Sequence, residues 1–236
     1  MKKIRLLLGV VFVSASFLGA LTAAYMGPPI QTKTVTADDA LKQLMEGNAR
    51  FAKGTTVNPR RTPADFRSVA EAQSPIAVVV ACADSRVSPE LLFDAGVGDV
   101  FVIRVAGNVV DGAGVTVKGS IEYAVAELNV PLIVVLGHTN CGAVKAAVQH
   151  IDKKDSLPGA INGLVELIKP AVTSVQGKPG DIYDRVIREN VNGGVQKLKS
   201  LQPILAPRVT AGTVKVVGGV YDLQTGTVSL IQPDAK

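Results

Sequence analysis

The chain has 236 residues, 47 % of them hydrophobic and 19 % charged, with no tryptophan and a formal net charge of +5. That length and apolar content suit one domain with a sizeable core and exclude a chain too polar to fold. Two cysteines are too few for a disulfide framework, although a single bridge stays open.

Lys2, Lys3 and Arg5 precede a nearly continuous apolar stretch, Leu6–Ala24, which ends in small residues before Tyr25. A basic start, an apolar middle and Thr22-Ala23-Ala24 read as a secretory signal peptide over residues 1–24. The alternative is an uncleaved anchor, because the stretch is just long enough to span a bilayer. Without the three leader cations the chain carries +2, too little to argue for nucleic acid. An exported protein is expected, periplasmic or secreted, with no membrane attachment once the leader is removed. Residues 25–35, with Pro28 and Pro29, read as a linker, and 36–236 as a single domain.

Thr36 is placed to cap a helix over Ala37–Arg50, with Asp38 and Asp39 in its first turn. Gly47 and Asn48 weaken the second half of that helix, and Gly54 ends it. Asn58–Pro63 reads as a loop whose two arginines are solvated. Ile76–Ala81 is apolar and largely β-branched, which suits a strand buried on both faces. Pro89–Asp94 is a short helical turn, and Asp99–Val105 a second buried strand. Gly112-Ala113-Gly114 lacks the full glycine fingerprint of a phosphate loop. Thr116–Leu128 has helical spacing, Pro131–Leu136 is a third buried strand, and Ala143–His150 a further helix. Pro158–Val175 is helical, with Pro170 expected to kink or divide it. Asp181–Leu201 carries a core-facing stripe that includes Val186, Ile187, Val191 and Leu198. Thr213–Tyr221 and Thr227–Ile231 read as a terminal hairpin. Alternating strands and helices predict an α/β fold: a mostly parallel central sheet flanked by helices, closed by a C-terminal antiparallel hairpin strand.

Each buried strand ends in chemistry. Cys82, Asp84 and Arg86 follow the first, Arg104 ends the second, and His138 and Cys141 follow the third. The carboxyl ends of parallel strands are where open α/β sheets hold ligands, so residues distant in sequence can meet there. Two thiolates and an imidazole suit zinc, and three protein ligands leave a fourth position for water, whose pKa the metal lowers. Asp84 can hydrogen-bond that water, and Arg86 can hold the carboxylate off the metal. Three alternatives stay open: a Cys82–Cys141 disulfide, a structural zinc with Asp84 as fourth ligand, and no role for His150 beyond surface or core edge.

Cys82-Ala83-Asp84-Ser85-Arg86, Arg104-Val105-Ala106-Gly107-Asn108 and His138-Thr139-Asn140-Cys141-Gly142 together resemble the signatures of the β-class carbonic anhydrases. The resemblance runs from Glu46-Gly47-Asn48-Ala49-Arg50-Phe51 to Tyr221-Asp222-Leu223-Gln224-Thr225-Gly226. It implies one zinc ion per subunit on Cys82, His138 and Cys141, with Asp84 and Arg86 as the catalytic dyad. The implied reaction is reversible hydration of carbon dioxide to bicarbonate and a proton, by attack of zinc-activated hydroxide. Gln73, Phe101, Tyr123 and the Gly142 amide fall at the family's substrate-pocket positions. Members with a bicarbonate-closed zinc site carry tryptophan where this chain has Val79, so the resemblance implies the open form. It also implies a homodimer or tetramer with the pocket across the interface and the Ala37–Phe51 helix reaching over the partner. Ala83 stands where the family more often has serine, a change expected to be harmless. Hydrolysis of carbonyl sulfide or carbon disulfide on the same scaffold is an alternative, as is a non-catalytic zinc- or bicarbonate-binding protein.

Overall fold

Five strands form one sheet among the residues described by the computed structural model, which are 35–111, 114–151, 153 and 157–231. The expected leader, residues 25–34 of the expected linker, and Gly112 and Ala113 lie outside them. The strands are β1 (Ala77–Ala81), β2 (Val100–Arg104), β3 (Leu132–His138), β4 (Lys215–Tyr221) and β5 (Val228–Leu230). Their order is β2-β1-β3-β4-β5. The first four are parallel, and β5 returns antiparallel to β4. The expected fold class is the observed one.

The helices are α1 (Ala37–Ala52), α2 (Pro63–Ser68), α3 (Pro89–Leu92), α4 (Val115–Ala126), α5 (Gly142–His150), α6 (Ile161–Val175), α7 (Ile182–Lys199) and α8 (Leu205–Thr210). Alternation along β1 and β3 decides which helix packs where. Val78, Val80, Ile133 and Val135 face α4 and α7 through Ile121, Val125, Val191 and Val195. Val79, Ala81, Val134 and Leu136 face the opposite layer, where α1 contributes Ala40 and Leu44 and α3 contributes Leu92. A third apolar group gathers at the carboxyl end of the sheet, where α5, α6 and α7 enclose Cys82 and Cys141.

Two expectations are corrected. The second strand is not buried: β2 is the sheet edge, with Val100–Ile103 only half-buried and Arg104 exposed. Its unbroken apolar run reads the same for an edge as for a centre. Pro170 does not divide its helix, since α6 runs through it. Buried Val165 and Ile168 before the proline, and Ala171 and Val172 after it, outweigh the lost backbone hydrogen bond. Helix α1 packs on its own chain's sheet. Its Asn48 donates to the carbonyls of Leu92 and Gly226 at 3.1 and 2.9 Å and accepts from the Val228 amide at 2.7 Å. Gly47 is needed there because a Cβ would lie 1.9 Å from the Phe93 carbonyl oxygen. The loop before α2 is also more ordered than its composition suggests. Asp94, fully buried, accepts from Arg50 Nε at 2.7 Å and from the amides of Val57 and Asn58, while Arg60 pairs with Asp99.

Candidate metal centre and active site

Parallel pairing of β1 with β3 sets Ala81 beside Leu136, so the residues that follow each strand emerge together. Cys82 leaves the end of β1, His138 is the last residue of β3, and Cys141 caps α5. Their ligand atoms lie within 4.8 Å of one another. Tetrahedral bonds of about 2.0–2.3 Å from a common centre would set such donors about 3.3–3.8 Å apart, inside that bound. All three side chains are buried, His138 completely. Both cysteines are free thiols, so the disulfide alternative does not hold.

The histidine is oriented for ligation. Its Nδ1 is 2.9 Å from the Thr139 carbonyl, and a carbonyl can only accept, so Nδ1 carries the proton. Nε2 is then left with a lone pair. It is buried and has no hydrogen-bond partner, a costly arrangement unless something fills the space between it and the sulfurs. The chemistry of this donor set, two sulfurs and one imidazole nitrogen, fits zinc.

The thiols sense each other. A hydrogen bond between them, followed by burial, pushes Cys141 up. The same hydrogen bond pulls Cys82 down against the opposing effect of burial, with the amides of Asp84 and Gly107 adding to it. A divalent ion bound between the sulfurs would displace thiol protons. Cys82 Sγ also accepts from the Gly107 amide at 3.2 Å.

Asp84 and Arg86 form a two-point pair. Arg86 Nε is 2.9 Å from Oδ1 and Nη2 is 2.7 Å from Oδ2, and the Arg86 amide also donates to Oδ1 at 3.0 Å. These hydrogen bonds hold the Asp84 carboxyl well below the usual carboxylate range. Asp84 Oδ2 is 3.9 Å from His138 Nε2, so the carboxylate borders the donor group while both its oxygens are turned to arginine. The loop beneath is fastened by Arg104, which donates to the carbonyls of Cys82 and Asp84 at 3.2 and 2.7 Å. In the sequence Arg104 stands out as a charge at a strand end. The role of Gly107 was missed, since a backbone amide leaves no mark beyond a glycine after a strand.

Residues 77–228 match a family model described as carbonic anhydrase. A carbonic anhydrase of Mycolicibacterium smegmatis is 43 % identical over 81 % of this chain and 91 % of its own length. Carbonic anhydrase 2 of Mycobacterium tuberculosis is 41 % identical over the same shares. Among solved structures, the Coccomyxa β-carbonic anhydrase bound to acetazolamide superposes with a TM-score of 0.64 at 31 % identity, covering 81 % of this chain and 86 % of that one. The chain belongs to the β-class carbonic anhydrases. That membership makes it a carbonate dehydratase.

The pocket positions of this carbonic anhydrase are divided. Gly142 opens α5 directly after Cys141, leaving its amide without an intrahelical partner. Phe101 and Tyr123 face each other with ring centroids 6.4 Å apart. They sit away from the donor group of their own chain: Phe101 pairs with Val78, and Arg104, roughly 10 Å further along β2, is the residue level with Ala81. Gln73 is exposed in the loop before β1.

Proposed function

We propose that Cys82, His138 and Cys141 hold one zinc ion and that the chain hydrates carbon dioxide there. The observation that carries this is the buried, unpartnered Nε2 of His138 facing two free thiols within 4.8 Å. Zinc held by these three residues would supply Lewis acidity that lowers the pKa of a water brought to it. Asp84, kept ionised by Arg86, is an acceptor only. It takes a hydrogen bond from the attacking oxygen and leaves that oxygen's lone pair aimed at carbon. Arg86 restrains the carboxylate from turning toward the donor group, which favours the open form. The Gly142 amide can donate to a substrate oxygen. A carbon–oxygen bond forms, bicarbonate departs, and the proton lost by the incoming water passes to solvent buffer.

The separation of Phe101 and Tyr123 from the donors of their own chain fits a pocket completed by a second copy, which would lie along the open edge of β2. One structural neighbour is described as two tetrameric β-carbonic anhydrases of Sordaria macrospora, at TM-score 0.64 and 26 % identity. A homodimer or tetramer is therefore part of this reading, and a fully active monomer in sedimentation would contradict it. Export through a leader over residues 1–24 is proposed from the sequence pattern, with the mature N-terminus near Tyr25 as its check.

Turnover of carbon dioxide, carbonyl sulfide and carbon disulfide by one preparation of known zinc content tests the reaction. Carbon dioxide is expected to be hydrated fastest. Preference for the sulfur substrates would mark a hydrolase on this scaffold, and zinc-loaded protein inert toward all three would mark a binding protein.

A further inference from the structure

Asn190 lies on α7, far in sequence from the loops that carry the donors, yet its side-chain amide donates to the Gly107 carbonyl at 2.8 Å. Gly107 in turn gives its N–H to Cys82 Sγ at 3.2 Å. Gly107 stands at φ 71° inside the turn Ala106–Asn108. A Cβ there would lie 2.8 Å from Ile168 Cδ1 and 3.2 Å from Ala143 Cβ, so glycine is required on both steric and conformational grounds. Glycine is also the residue that restrains its own backbone least. The direction of its N–H must be fixed by what holds the peptides on either side. The peptide that follows Gly107 is held at both of its polar groups: the Asn108 amide donates to the Val105 carbonyl at 2.9 Å, and the Gly107 carbonyl accepts from Asn190. The N–H that meets Cys82 belongs to the peptide before it, joined through the Gly107 Cα.

We propose that Asn190 is a positioning residue for the metal centre: by tying the Ala106–Asn108 turn to α7 through the Gly107 carbonyl, it holds the turn where the preceding peptide's Gly107 N–H meets Cys82 Sγ, and so sets how strongly that sulfur donates to the metal. An N–H···S bond withdraws electron density from a thiolate, which leaves a bound metal more acidic. Neighbouring residues keep α7 in place without Asn190, because Val186, Ile187 and Val191 on the same helix are buried in the core. Asn190 itself borders a cavity of about 120 Å³ lined also by Val109, Pro170 and Gly193. If the side chain is shortened, water from that cavity can serve the Gly107 carbonyl, so the fold survives while the fixed aim is lost.

This inference rests on the Cys82–His138–Cys141 metal reading, and one experiment separates the two. Cobalt(II) is bound to the full chain and to the Asn190→Asp, Asn190→Ala and Asn192→Asp variants. The thiolate-to-cobalt charge-transfer band and the rate of metal loss to a chelator are then recorded. Asn190→Asp keeps the shape but turns an acceptor toward the Gly107 carbonyl; Asn190→Ala removes the group and guards against a misfolded aspartate variant. Asn192→Asp is the control on the same helix. Both Asn190 variants are expected to shift the band and to lose metal roughly tenfold faster, with the control matching the parent. A band and loss rate unchanged in Asn190→Ala overturns the inference alone. A parent chain with no thiolate-to-cobalt band overturns the metal reading and the inference with it.

Discussion

Arg104 Nη2 lies 2.7 Å from the backbone carbonyl of Asp84, with Nε 3.2 Å from that of Cys82, so one guanidinium on the edge strand fixes the loop that carries a donor and its carboxylate neighbour. A planar fork can hold two carbonyls in one geometry, and an ammonium cannot. Arg104→Lys should therefore loosen Asp84 and Cys82 together. Zinc affinity and kcat are each expected to fall about tenfold or more, read from chelator competition and steady-state hydration. A lysine variant equal to the parent in both would contradict the clamp.

Asp84→Asn keeps the size of the side chain but removes the charge that Arg86 holds in place. The amide can also donate, so it no longer dictates the orientation of the attacking oxygen. Turnover is expected to drop roughly 100-fold, while zinc per chain stays at the parental level because Asp84 is not among the three donors. Loss of zinc in step with activity would instead make Asp84 a ligand.

Asn48 ties α1 to the turn after α3 and to the hairpin through three hydrogen bonds, two of them fully buried. Removing the side chain strands two carbonyls and one amide. Asn48→Ala is expected to lower the unfolding free energy by about 3 kcal/mol, measured in urea. A variant within about 0.5 kcal/mol of the parent would show that water replaces the lost partners.

Acid should unfold the protein through its fixed carboxylates. Burial pushes Asp94 up, but the Val57 amide, Arg50 and the Asn58 amide together hold it below its ordinary value. Arg86 does the same for Asp84. An unfolded aspartate titrates near 3.9, roughly. A depressed folded pKa gives stability that is complete above that value and is lost as pH falls toward the folded one. Unfolding free energies from pH 7 downward are expected to be flat in this contribution until about pH 4 and then to fall. Asp94→Asn, which cannot titrate, should be less stable at neutral pH and show a shallower acid limb. An unchanged limb would assign the acid sensitivity to other groups.

Strands β1 and β3 were legible because their apolar runs are long, β-branched and followed at once by polar residues. The three donors were legible for the same reason, as each stands where such a run stops. Position within the sheet was not. Val100–Arg104 has the composition of a central strand, and only pairing reveals it as the edge. Gly47 and Asn48 read as helix weaknesses because propensity is local, whereas their partners Phe93, Gly226 and Val228 lie far along the chain. The short helix α2 had a readable start in Thr62-Pro63-Ala64-Asp65, a capping box that the neighbouring prolines and arginines obscured. Gly107 acts through its backbone N–H and C=O, the latter bound by the Asn190 side chain, and a contact to a backbone atom has no residue-type signature.

The most direct test of the zinc-dependent reaction is stopped-flow carbon dioxide hydration on metal-free protein titrated with zinc. Activity is predicted to rise in proportion to zinc, to level off at one ion per chain, and to vanish on chelation. Cys141→Ser should bind zinc weakly and hydrate little. Protein carrying one zinc per chain that leaves the uncatalysed rate unchanged would contradict the account.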